Sequence, residues 1–151
     1  MADLAVAAAP CVCPLAVNRP CRLRALAGWR LTRHKRGDYG YTDHEARTIS
    51  LRADLTWPQL RSTLVHEVLH ATRGPALDTL GDREEMRVRK ETARLLLPSI
   101  HAVADALAWS QVRAREAAAD LGVDVDVLWD RLDHLHPAEH HYLRRRLAEV
   151  G

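Results

Sequence analysis

The sequence predicts an α+β fold: a small antiparallel three-stranded sheet packed on a helix carrying His66-Glu-Val-Leu-His70, then further helices and a helix-turn-helix-like bundle. Three observations carry that expectation. Between Trp29 and Leu51 polar and apolar residues alternate in short runs separated by turn residues, the pattern of half-buried strands. Beyond Leu51 apolar residues recur every three or four positions, the pattern of helices. The 151 residues are 47% apolar and 28% charged, enough for one domain-sized core and unlike a disordered chain or a disulfide-stapled miniprotein.

Residues 1–27 read as an irregular lead-in with one short helix near 22–27. Cys11, Cys13 and Cys21 fall there; three is an odd number, the spacing matches no common zinc knuckle, and reduced thiols are expected. The uncharged stretch from Leu4 to Asn18 is broken by Pro10 and Pro14, and Asp3 stands where a signal peptide needs positive charge. The expectation is a cytoplasmic protein with no membrane span.

Trp29–His34, Tyr39–Thr42 and Thr48–Leu51 read as consecutive strands turning at Gly37-Asp38 and at Asp43–Glu45. Thr56 and Gln59 form a capping-box pair, with Pro58 in the first turn of a helix that Gly74-Pro75 ends. Residues 76–81 are expected as a loop. Further helices are expected at Asp82–Leu97, Ser99–Trp109, Gln111–Leu121, Val125–Leu135 and from Pro137 to about Val150. The chain then divides into the lead-in 1–27, a core 28–110 built round the His66–His70 helix and a helical module 111–151, with Trp109 and Trp129 in the hydrophobic core.

The chemistry sits in the first long helix. Residues four apart lie one above the other on a helix, so His66 and His70 can reach one metal ion from the same face. Glu67 lies about 100° round the axis, beside the ligands, where it can act as general base on an attacking water. Two histidines and a carboxylate with one open position form the catalytic arrangement of zinc hydrolases. A chain of this composition would show H-E-x-x-H by chance in roughly three cases in a hundred, so the motif carries weight.

A third ligand has two candidates, Glu84 and Glu85. Glu85 shares its helix face with Val88, Thr92 and Leu95, so that face points inward; Glu84 shares its face with the charged Glu91. Geometry favours Glu85. A strand before the helix is expected to align a substrate backbone, with residues 48–52 as the candidate. For stabilising an oxyanion, Tyr39, Tyr41 and His101 are the candidates.

The stretch Thr63-Leu-Val-His-Glu-Val-Leu-His-Ala71, an acidic helix, and then Ala93-Arg-Leu-Leu-Leu-Pro98 together resemble the ImmA/IrrE family of zinc metallopeptidases. Tyr41-Thr-Asp-His44 and Arg47-Thr-Ile-Ser-Leu51 are similar to that family's strand pair, and the resemblance covers roughly residues 28–135. Counted back from Pro98, the family's acidic ligand falls on Glu85. Leu69 stands where the family often has glycine, and Arg94 and Leu97 also depart from it without touching the ligands. The resemblance implies zinc, a peptidase, and a protein substrate such as a helix-turn-helix repressor.

A rival function, DNA binding, comes from Ala118–Leu128, which is similar to a helix-turn-helix. Electrostatics argue against it. The net charge is only +2, and the would-be recognition helix carries Asp124, Asp126, Asp130 and Asp133 against Arg131. The other histidine group, His134, His136, His140 and His141, straddles a helix start at Pro137 and is expected to be a polar junction, not a metal site.

Overall fold

The most apolar strand takes the middle of the sheet. In this computed structural model, which describes residues 26–75 and 80–149, β3 (Thr48–Arg52) buries Ile49, Ser50 and Leu51. It lies between β1 (Arg30–His34) and β2 (Gly40–Asp43). β1 runs parallel to β3, with Leu31 beside Ile49; β2 runs antiparallel, with Gly40 opposite Leu51 and Thr42 opposite Ile49. The expected antiparallel sheet is thus corrected to a mixed one of order β1-β3-β2. Burial explains it: a strand with three buried residues gains from cover on both edges, whereas four of the five β1 residues are exposed and suit an edge. A second correction follows. Residues 48–52, expected to receive a substrate strand, are already paired on both sides, and the sheet edge beside the H-E-x-x-H helix is β2.

Helix α1 (Trp57–Arg73) begins as the sequence dictates. The Gln59 carboxamide oxygen accepts from the Thr56 backbone N–H at 3.1 Å and from its hydroxyl at 3.0 Å. Gly74 ends it at φ 87°, a left-handed conformation that glycine adopts without strain, and its N–H returns to the His70 carbonyl. α2 (Gly81–Leu96) folds back along α1 and buries Val88, Thr92, Ala93 and Leu96. Ser99 caps α3 (Ile100–Trp109) through Ala102 N–H. α4 (Ala114–Asp120) starts three residues later than expected, because Gln111 and Val112 take φ of 54° and 64° and turn the chain. α5 (Val125–Asp133) and α6 (Pro137–Ala148) complete the chain.

One apolar cluster joins α2, α3, α4 and α5: Leu96, Val103, Leu107, Ala117, Val123 and Leu128 are among its members, with Val65 of α1 and Leu143 of α6 packed against it. Trp109 and Trp129 do not join it; they are 74% and 50% exposed, correcting their expected place in the core. Leu128 and Arg131 define the buried face of α5, and Trp129 falls about 100° off Leu128. The buried Arg131 guanidinium donates to the Leu97 carbonyl at 2.9 Å and forms a two-pronged pair with Glu139, locking α6 to the bundle.

Two contacts set the bundle against α1, and a third ties α2 to α5. Arg61 donates to the carbonyl of Gly122 at 2.9 Å, and the Asp124 N–H donates to the Ser62 hydroxyl at 3.0 Å. Arg89 of α2 grips Asp130 of α5 through both oxygens, at 3.0 and 2.7 Å. The start of α5 therefore faces the residues of the H-E-x-x-H helix. Cys11, Cys13 and Cys21, and nearly all of the short helix expected at 22–27, lie outside the described residues. Among the described residues, no helix is long and apolar enough to cross a membrane.

Candidate metal centre

His66 and His70 stand one turn apart on α1, and α2 returns across them to present Glu85. The two Nε2 atoms are 3.1 Å apart. Glu85 Oε2 lies 3.0 Å from His70 Nε2, and Oε1 lies 3.4 Å from His66 Nε2. Ligand atoms held about 2.0–2.1 Å from a tetrahedral ion are separated by roughly 3.3 Å, so the spacing of the two Nε2 atoms, each with one Glu85 carboxylate oxygen at 3.0 or 3.4 Å, suits such an ion. They could hold a metal ion, and they are the group of that kind among the described residues. All three residues are half-buried, which leaves the fourth direction open toward the cleft.

The electrostatics of the cluster are strongly coupled. Hydrogen bonds from His66 and then His70 hold the Glu85 carboxyl far below the usual carboxylate range, against a burial penalty. The Glu85 hydrogen bond in turn raises the His70 pKa, opposed by desolvation and supported by the charges of Glu85, Glu67 and Glu84. Glu84 does not compete for this position. Its carboxylate turns to Arg73, whose guanidinium lowers its pKa, and a second cation, Arg87, lies 3.7 Å away.

Glu67 is buried at 6% exposure and is fixed from the sheet: the Thr42 hydroxyl donates to its Oε2 at 2.8 Å. That approach of β2 to α1 requires glycine at position 40. A Cβ there would lie 2.6 Å from Thr63 Cγ2 and 2.9 Å from Glu67 Cγ, closer than side chains pack. Sequence reasoning missed both Gly40 and Thr42. A glycine inside a strand is a signal of close backbone approach, so Gly40 was findable; nothing local marks Thr42.

The cluster opens into a cleft of about 340 Å³ lined by Gly40, Thr63 and Glu67 on one side and by Thr92, Asp126 and Asp130 on the other. Of the three oxyanion candidates, Tyr39 lines this cleft, with its hydroxyl 3.0 Å from Gln59 Nε2. Tyr41 stacks on His34, 5.3 Å between ring centroids, and is 51% exposed; His101 packs edge-on against Tyr142. Neither lines the cleft. The C-terminal histidines stay apart as well: His134 Nδ1 lies 2.8 Å from the Asp130 carbonyl, His136 caps α6, and His140 and His141 are exposed.

The chain is thus an α+β protein whose first helix and second helix assemble a two-histidine, one-carboxylate cluster able to hold a metal ion. Compared with known family models, curated proteins and solved structures, it matches none.

Proposed function

We propose that the protein is a zinc-dependent metallopeptidase in which His66, His70 and Glu85 hold the ion and Glu67 is the general base. The observation that carries this reading is the cluster of two Nε2 atoms 3.1 Å apart, each within 3.4 Å of a Glu85 carboxylate oxygen, with a buried carboxylate next to it in sequence and an open cleft in front. The ion supplies Lewis acidity, polarising the scissile carbonyl and making water acidic enough to lose a proton near neutral pH.

The remaining steps belong to the chain. Glu67 takes a proton from the attacking water and delivers one to the leaving amine. Thr42 holds the Glu67 carboxylate in one orientation, and Gly40 lets the strand come close enough to do so. The free edge of β2 accepts the substrate backbone by strand addition. Two histidines and one carboxylate leave a coordination position for chemistry, which favours catalysis over the rival reading of a regulator with purely structural zinc.

By the resemblance of its motifs to the ImmA/IrrE family, the substrate class is a regulatory protein of the helix-turn-helix repressor type, cut in the cytoplasm. The test is direct: zinc-loaded protein is incubated with the repressor-type regulator encoded nearest its own gene. Cleavage that chelation abolishes and zinc restores supports the reading. An intact regulator, together with no cleavage in a random peptide library, overturns it.

A further inference from the structure

We propose that the cleft beside the metal centre is a subsite for a basic side chain, arginine or lysine, of the bound peptide. The inference rests on the peptidase reading and names the kind of residue that substrate must carry.

Its far wall is α5. Asp126 and Asp130 lie one turn apart on the helix, with Asp124 at its start, and all three line the cleft against a single cation, Arg89. Acidic residues at a helix start are common for reasons of the helix dipole alone, so their presence decides nothing. Two further facts do. Arg89 already sits against this wall as a two-pronged guanidinium–carboxylate pair with Asp130, which shows that a guanidinium fits there. Asp124 and Asp126 are in no such ion pair among the described residues, so the cleft keeps an excess of negative charge.

The second fact is Thr92. It is 2% exposed, it lines the cleft, and among the described residues its hydroxyl is the buried side-chain group with no hydrogen-bond partner. Buried polar groups in native proteins are satisfied in the great majority of cases, so an unsatisfied one on a cleft wall marks a place where a ligand group donates or accepts. A guanidinium brings five donors and an ammonium three, enough for the Thr92 oxygen and an aspartate together. Glu67, Glu85 and Asp126 line one and the same cleft, so a side chain reaching the α5 wall would belong to a peptide residue bound near the proposed metal centre.

Hydroxamates separate the two readings. Binding of acetohydroxamate to the zinc-loaded full chain reports the metal centre; the ratio of N-acetyl-arginine hydroxamate to N-acetyl-norleucine hydroxamate affinity reports the subsite. The arginine compound is expected to bind about tenfold tighter or more, as charge-assisted hydrogen bonds would give. Asp126→Asn, at an exposed position that does not threaten folding, and Thr92→Val should each shrink that ratio several-fold. Asp133→Asn, the same charge change on the same helix away from the cleft, should not. Equal affinities, or a preference indifferent to Asp126→Asn, overturn the subsite while leaving the metal reading intact. Failure of acetohydroxamate to bind overturns the metal reading; arginine amide against norleucine amide, which need no metal, then still decides the subsite.

Discussion

The Thr42 hydroxyl donates to the Glu67 carboxylate at 2.8 Å and lies 3.1 Å from the Glu67 carbonyl oxygen, across 25 residues of sequence. The edge strand thereby holds a buried carboxylate that sits beside the proposed metal ligands without being one of them. The general base proposed for Glu67 is useful only in a fixed position, and the sheet would supply the fixing. The first two predictions test this arrangement.

Metal content should depend on His66, His70 and Glu85 and on nothing beside them. The purified chain should hold about one zinc ion, as a single two-histidine, one-carboxylate site implies, and His66→Ala or His70→Ala should abolish binding. Glu85→Ala should weaken it, whereas Glu84→Ala, whose carboxylate is committed to Arg73, should leave it unchanged. Elemental analysis of the four variants checks this; full occupancy in both histidine variants would remove the site.

Glu67→Gln keeps the size of the side chain and loses the base, so zinc should remain while cleavage falls by several powers of ten. Thr42→Val removes only the orienting hydroxyl and should cost about tenfold in kcat with zinc retained, the order expected for one hydrogen bond to a charged group. Normal cleavage by Glu67→Gln would place the base elsewhere.

Gly40→Ala should destabilise the fold by about 1–3 kcal/mol, the usual cost of overpacking, because its Cβ would lie 2.6 Å from Thr63 Cγ2. Thr63→Ser removes that methyl and should recover part of the loss. Thermal denaturation of the single and double variants measures both effects; additive losses would show that the contact is not the cause.

The Arg131–Glu139 pair sets a pH limit. The Arg131 hydrogen bond holds the Glu139 carboxyl down at about 2. Because the folded value lies below the unfolded one, the pair's contribution is full above the unfolded value of about 4.5 and is lost as pH falls toward about 2. Glu139→Gln leaves a buried guanidinium without its counter-charge and should cost roughly 3–5 kcal/mol near neutrality. Denaturant midpoints from pH 7 to pH 2 should converge for the two proteins; parallel curves would count against the pair.

Duplex DNA should bind the full chain no tighter than ordinary non-specific contact, about 10⁻⁴ to 10⁻⁶ M at physiological salt. Asp126 and Asp130 of α5 line the cleft beside His66 and Glu85, and the helix would meet phosphate with the wrong sign. Gel shifts from 50 to 200 mM salt test it, since phosphate-driven binding weakens steeply across that range. Nanomolar, sequence-selective retention would revive the regulator reading.

What the sequence determined by itself is local. Thr56 with Gln59, Gly74 and Ser99 mark where helices start and stop because capping chemistry acts within a turn or two of the backbone. The four-residue spacing of His66 and His70 puts both rings on one face for the same reason. The choice of Glu85 over Glu84 was not made by an inward face: the Glu84 side chain is 16% exposed against 47% for Glu85, and Arg73 takes the Glu84 carboxylate, leaving Glu85 at the histidines. Only the tertiary structure decided which strand lies in the middle of the sheet, since pairing depends on how much each strand gains by being covered and not on its order in the chain. It alone left Trp109 and Trp129 outside the core, brought Thr42 to Glu67, and carried the aspartates of α5 to the cleft through Arg61, Ser62 and Arg89. Those partners lie 25 to 62 residues apart in the chain, and no periodicity or turn signal reaches that far.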